Sequence, residues 1–195
     1  MKRIEEIYRE ILYQAEKGIN TLTQKAISEK LGISLSNVSN ALAPLRRMNA
    51  IDVKKMCFHI INIRKILYHW ASIRNLKKDL IYSTRHEKSI AEIEKSMPDS
   101  VVFTAYSAYK LRFKDAPADY SEVYAYSDDI VEIKKRFPES KNIPNVFILK
   151  KDKSLDKYGK IATNANIFID LWNLPEWYAK DFLKAMEKKW IIGIQ

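Results

Sequence analysis

Residues 23–45 read TQKAISEKLGISLSNVSNALAPL, and this stretch decides the fold of the first half of the chain. Thr21 or Thr23 can cap a helix running to about Leu31, with Ala26, Ile27 and Leu31 as its buried face. Gly32 suits the left-handed turn that follows a helix C-terminus. Ser34 then caps a third helix over 35–48, its hydroxyl satisfying a free backbone N–H. Val38, Leu42 and Leu45 point inward, and Ser36, Asn37, Ser39 and Asn40 fall on the opposite face. Helix, tight turn and second helix are the arrangement that presents a helix to the DNA major groove. Pro44 removes one hydrogen bond and crowds the preceding turn, which predicts a kink or an early end to the regular helix.

The flanks extend the pattern. Ile4, Ile7, Tyr8, Ile11, Leu12 and Ala15 recur at helical spacing, predicting an amphipathic helix over 3–17 that Gly18 ends. After the third helix comes IDVKKMCFHII. Ile51–Val53 and Cys57–Ile61 read as short strands joined by Lys54, Lys55 and Met56, a hairpin with lysines at its tip. Three helices and such a hairpin make a winged helix-turn-helix domain over residues 1–61. Helical periodicity resumes over 62–82 with Ile63, Ile66, Leu67, Trp70, Ile73, Leu76 and Leu80. That stripe is too apolar to stand alone in water. Residues 62–85 are therefore expected to be a connector helix, packed on its own chain or serving as a dimerisation element.

Composition changes near His86, and residues 86–195 are expected to form a small mixed α/β domain. A polar helix ends at Pro98. Strands are expected at Val101–Phe103, Glu122–Tyr126, Asn145–Leu149 and Ile167–Leu171. Helices are expected at Thr104–Phe113 and Asp128–Phe137, and from Pro175 to about Lys189. The fold class is thus α+β.

Within 195 residues, a hydrophobic content of 47% and a charged content of 30% describe an ordinary globular chain. Glycine is scarce, at 4, which disfavours flexible linkers and Gly-rich phosphate loops. The single cysteine, Cys57, excludes an internal disulfide and a cysteine-built zinc site. The N-terminus carries acids among its apolar residues, unlike a signal peptide, and no uncharged apolar run approaches the ~20 residues that span a bilayer. A cytoplasmic protein with no membrane partner is expected. The net charge is +10. Residues 1–85 hold 16 Lys and Arg against 7 Asp and Glu, whereas residues 86–195 hold 18 against 17. Positive charge concentrated around a helix-turn-helix pattern points to nucleic acid, because phosphate neutralisation releases counterions.

The expected DNA-binding residues are Thr23, Gln24, Lys25, Ser34, Ser36, Asn37, Ser39, Asn40, Arg46, Arg47, Lys54 and Lys55. Asn pairs with adenine N6 and N7, and Ser serves several bases or a phosphate. Arg46 and Arg47 suit phosphates, and the start of the second helix can hold one on its amides. Lys54 and Lys55 can reach flanking phosphates or the minor groove. TQKAISEKLGISLSNVSNAL and the hairpin after it resemble the winged-helix domains of bacterial and archaeal transcriptional regulators of the MarR or ArsR kind. The resemblance covers residues 1–61 and implies DNA binding, but no particular regulon.

In the second half, FTAYSAYKLRFKDAPADYSEVYAYSDD is similar to the start of the nucleotidyltransferase fold. Antitoxins of AbiE-type abortive-infection systems share this general plan of a winged helix joined to a second domain. The chemistry of that fold needs a glycine-containing turn for phosphates and an Asp-x-Asp pair, with a third carboxylate on a later strand, to hold two Mg2+ ions. Here the turn is Thr104-Ala105-Tyr106-Ser107, without glycine. The strand carries Glu122, with Tyr124 where a second acid is wanted, and Asp170 matches the third position. A degenerate, non-catalytic domain without cofactor or metal is expected. Ser127 reads as the cap of a helix, with Asp128 and Asp129 meeting the positive end of its dipole. Cys57 and His59 share a strand face but lack further ligands, and His69 and His86 read as connector surface. The abundant aromatics, Tyr106, Tyr124, Trp172 and Trp177 among them, are mostly core, with room for a sensing pocket or partner surface. The sequence therefore implies a dimeric DNA-binding regulator with a protein or small-molecule effector at its second domain. An antitoxin-like repressor and a nucleic-acid-targeted nucleotidyltransferase are the alternatives.

Overall fold

The computed structural model describes residues 1–191. The chain is a mixed α+β protein divided into two compact units. The first comprises Met1–Arg74 with Thr163–Ala165 and the described residues from Met186 on, and the second comprises Asn75–Ala162 and Asn166–Ala185. Among the described residues no helix is long and apolar enough to cross a membrane.

In the first unit the order is α1 (Arg3–Glu16), β1 (Thr21–Leu22), α2 (Gln24–Leu31), α3 (Leu35–Arg47), β2 (Ile51–Val53), β3 (Phe58–Ile60) and α4 (Ile63–Ile73). The strands form an antiparallel sheet in the order β1-β3-β2. Leu22 and Val53 both stand opposite Phe58, which is fully buried. Lys54 N–H donates to the Cys57 carbonyl at 2.8 Å and closes the hairpin. Ile7, Tyr8, Ile11 and Leu12 of α1 form the core with Ile27, Leu31, Val38, Leu42 and Leu45. Gly32, at φ +65°, makes the left-handed turn between α2 and α3.

Local details depart from the sequence reading. Thr21 lies in β1, so Thr23 alone caps α2. Ala26 is exposed, and Ile27 and Leu31 bury that helix. α3 continues through Pro44 to Arg47. The carbonyl that loses its partner belongs to Asn40, an exposed residue, so the missing bond costs less than it would in a buried turn.

The connector helix is shorter than the periodicity implied. α4 ends at Ile73, Arg74 turns to extended backbone, and Asn75 caps a short 3-10 turn over Leu76–Asp79. Leu80–Thr84 is then a strand, β4. Leu76 and Leu80 continue the helical stripe by spacing, but Leu80, Tyr82 and Thr84 also alternate as strand residues do. α4 packs on α1 and buries Ile66, Leu67, Trp70 and Ala71. Ile66, Leu67, Trp70 and Leu76 of the stripe are therefore covered within their own chain, whereas Ile63 and Ile73 are half-buried and Leu80 is exposed. The end of α4 is fixed by a buried charge. Arg74 Nη1 lies 3.3 Å from Glu5 Oε2, and Trp70 Nε1 donates to the same oxygen at 3.1 Å.

The second unit follows with α5 (Ile90–Ser96), β5 (Val102–Thr104), α6 (Ala105–Phe113), β6 (Val123–Ser127), α7 (Ile130–Arg136), β7 (Val146–Lys150), α8 (Asn164–Trp172) and α9 (Ala179–Met186). Glu187–Ile191, which belongs to the first unit, forms a π turn. The sheet order is β4-β7-β6-β5, with β6 and β7 parallel and the outer pairs antiparallel. β6 is buried along its whole length. Val123, Ala125, Val146 and Ile148 meet Ile93, Met97, Ile133 and Phe137 on one face.

Ile167–Leu171, expected as a strand, lies inside α8, so Asp170 stands on a helix rather than a strand. Residues 164–171 are all buried, which erases the 3.6-residue period that would have marked them as helical.

Removal of one member of a buried ion pair costs about 3–5 kcal/mol. Arg74→Ala should lower the free energy of unfolding by that amount in urea titrations. A loss under about 1 kcal/mol, the scale of exposed pairs, would contradict the anchoring role.

Candidate nucleic-acid interface

α3 begins where Ser34 Oγ accepts the Asn37 N–H at 3.3 Å, and the same hydroxyl lies 3.0 Å from Ser36 Oγ. From there Val38, Ala41, Leu42 and Leu45 turn inward. Tyr8 on α1 donates its hydroxyl to the Ala41 carbonyl at 2.9 Å and pins the helix. Ser36, Asn37, Ser39 and Asn40 are all exposed. The helix therefore shows solvent an edge of small polar side chains.

α2 starts in the same manner, with Thr23 Oγ1 accepting from Ala26 N at 3.0 Å. A groove of about 530 Å³ is lined by Gln24, Ser39, Leu42, Ala43, Arg46, Arg47 and Val53. It brings together Gln24 at the start of α2 with Ser39, Arg46 and Arg47 from the middle and C-terminal end of α3. Thr23, Ser34, Ser36, Asn37 and Asn40 lie outside it, as do Lys25, Lys54 and Lys55.

The lysines differ in electrostatic state. Lys25 lies 3.8 Å from Glu29. Lys54 Nζ lies 2.5 Å from Asp52 Oδ2, and that hydrogen bond raises the ammonium above its ordinary pKa. Among the described residues Lys55 makes no ion pair, so it is the hairpin's uncommitted cation. Burial lowers the pKa of His69 on α4, and the charge of Arg47 lowers it further. His69 meets Tyr8 edge-on at 5.6 Å.

Two exposed apolar side chains lie beside the expected contact residues without being among them. Leu35 is 53% exposed and Met56, at the hairpin tip, 79% exposed. Leu35 falls in helical register with Val38, Leu42 and Leu45, so periodicity alone assigns it to the core. Its place in the first turn, next to the cap, was the available signal. Apolar contact at such a position suits a thymine methyl.

The other residues singled out by sequence have structural partners. His59 Nδ1 lies 2.8 Å from Thr21 Oγ1, and its Nε2 lies 3.8 Å from Cys57 Sγ. Asp129, rather than Ser127, caps α7 by accepting from Glu132 N at 3.0 Å. Asp128 pairs with Lys151 at 3.1 Å. Asp170 is fully buried, and its Oδ2 accepts from Thr104 and Tyr126 at 2.6 Å and from Asn166 at 3.0 Å. The turn into α6 holds Ala105 at φ +50°, a conformation glycine adopts more readily. Glu122 accepts the Tyr178 hydroxyl. Burial pushes the Glu122 carboxyl up, and repulsion from Glu176 adds to it. Among the described residues no three His, Cys, Asp or Glu side chains are placed to share a metal ion.

Comparison of the chain with protein-family models, with curated proteins and with solved structures found no match in any of the three.

Loss of an N-cap hydroxyl costs about 0.5–2 kcal/mol. Ser34→Ala should destabilise the protein by about 1 kcal/mol in thermal or urea unfolding. An unchanged stability would mean that α3 does not depend on this cap.

Proposed function

We propose that residues 1–61 form a winged helix-turn-helix and that the chain is a dimeric, sequence-specific DNA-binding transcriptional regulator. One observation carries the reading. α3 buries its apolar edge on its own unit and leaves Ser36, Asn37, Ser39 and Asn40 in solvent. Small polar side chains let a helix enter the major groove deeply, where Asn reads adenine and Ser adapts to several bases. Arg46 and Arg47 flank that edge for phosphates, and residues 1–85 hold 16 of the 34 basic residues against only 7 of the 24 acidic ones. Two copies are invoked because one recognition helix contacts few bases, and paired half-sites supply useful specificity.

The second unit is assigned a non-catalytic role in sensing or assembly. Two of the acids that nucleotidyl transfer would draw on serve other ends here. Asp170 is buried among Thr104, Tyr126 and Asn166, and Glu122 accepts from Tyr178. Two-metal chemistry needs carboxylates open to both ions. The antitoxin-like variant of this reading adds a protein partner at the second unit.

Asn37→Ala should weaken binding to the selected DNA site by about 1–3 kcal/mol while leaving non-specific binding nearly intact. Equal losses on all sequences would contradict base reading. Lys55→Ala should weaken binding on every sequence and reduce the slope of log K against log salt by about one. Lys54→Ala should do so less, because Asp52 already holds its charge. An unaltered slope in both variants would remove the hairpin from the interface.

A further inference from the structure

The sheet of the second unit has two unlike faces. The face of Val123, Ala125 and Ile148 is closed by α5 and α7. On the other face Tyr124 of β6 and Phe147 of β7 stand in register. Their rings stack at 4.6 Å with planes 10° apart. Beside them is a cavity of about 180 Å³, walled by Leu80, Leu149 and Leu174, with Lys77 and Glu176 among its lining. It is smaller than the ~300–1,000 Å³ of drug-sized sites, so its occupant is small.

Glu176 is the cavity's carboxylate. Its Oε1 accepts the Tyr124 hydroxyl at 3.0 Å and its Oε2 accepts the Tyr106 hydroxyl at 3.1 Å. Burial drives both phenols well above their ordinary pKa, so they keep their protons and continue to donate. A carboxylate offers about four acceptor positions. The two tyrosines thus fix Glu176 in place and leave each oxygen capacity for a further donor. Glu122 lies near enough for the two carboxylates to repel.

We propose that this cavity binds a small primary amine with an apolar body, its ammonium on Glu176 and its body against Tyr124 and Phe147. Glu176, half-buried and held by two tyrosines, repels an anion more strongly than Lys77, exposed and screened by solvent, attracts one. A neutral apolar guest would cover the carboxylate and give it no donor in exchange. An ammonium satisfies the carboxylate, and the adjoining ring faces favour a cation. The inference deepens the sensing role proposed for the second unit. It stands apart from DNA binding, because ligand binding is measured on the protein alone.

The test is an NMR titration of the full chain with 2-phenylethylamine and, separately, with 3-phenylpropionate. The amine should bind saturably, with a dissociation constant of about 1 mM or below, and should shift the amides of Tyr124, Phe147 and Leu149. The acid should bind at least about tenfold more weakly, and so should the amine to Glu176→Gln, through loss of a charge-assisted bond. Leu80 lines the cavity and is 38% exposed, so Leu80→Trp adds bulk to its wall from a tolerant position. That variant should lose amine binding while keeping its circular dichroism and melting temperature. Absence of saturation, equal affinity for amine and acid, or binding that survives in folded Leu80→Trp would each overturn the proposal. None of these outcomes would touch the DNA-binding reading.

Discussion

A helix that buries one edge has no choice about the edge it shows. That constraint governs the first unit. Val38, Ala41, Leu42 and Leu45 lie at 0–3% exposure, and fully burying such side chains contributes about 1.5–3 kcal/mol for each large one. Rotating α3 by one residue would trade these for Asn37 or Ser39, with unpaired polar groups in the core. The Tyr8 hydroxyl on the Ala41 carbonyl fixes the setting. Glu5, on the same helix as Tyr8, is held by Trp70 and Arg74 of the α4 region. The polar edge of α3 is thus set by packing that never touches it.

The second unit is organised around a strand with both faces buried. Alternation along β6 sends Val123 and Ala125 to one layer and Tyr124 and Tyr126 to the other. The aromatic layer brings hydroxyls inside, and buried hydroxyls need partners. Acids supply them: Asp170 for Tyr126, Glu176 for Tyr106 and Tyr124, and Glu94 for Tyr120 at 2.6 Å. Carboxylates held by phenols are poorly placed to clamp a pair of metal ions, the basis of the non-catalytic role proposed for this unit. The same pairing leaves Glu176 fixed in position beside an apolar cavity.

Much of the first unit was legible because its signals are local. Caps at Thr23 and Ser34, the turn at Gly32 and the spacing of Val38, Leu42 and Leu45 each act within a few residues. The lysine-tipped hairpin was legible for the same reason. β1 was not, since two residues carry no period. Residues 80–84 and 167–171 were misread for opposite reasons. Leu80 fits a helical stripe and a strand alternation equally, and pairing with β7 decides between them. α8 is buried almost throughout, so its sequence shows no polar face. The ion pair of Lys54 with Asp52 and the exposure of Leu35 depend on side-chain placement that spacing does not encode. Glu176 gave no sequence signal, because its tyrosine partners lie 52 and 70 residues away in the chain.

The central claim is that the exposed edge of α3 reads bases in duplex DNA. The most direct measurement is selection of bound fragments from genomic DNA at two salt concentrations. The account predicts an enriched consensus of two inverted half-sites, retained at the higher salt while bulk binding falls away. Recovery of fragments without a consensus, or of none at either salt, would contradict it.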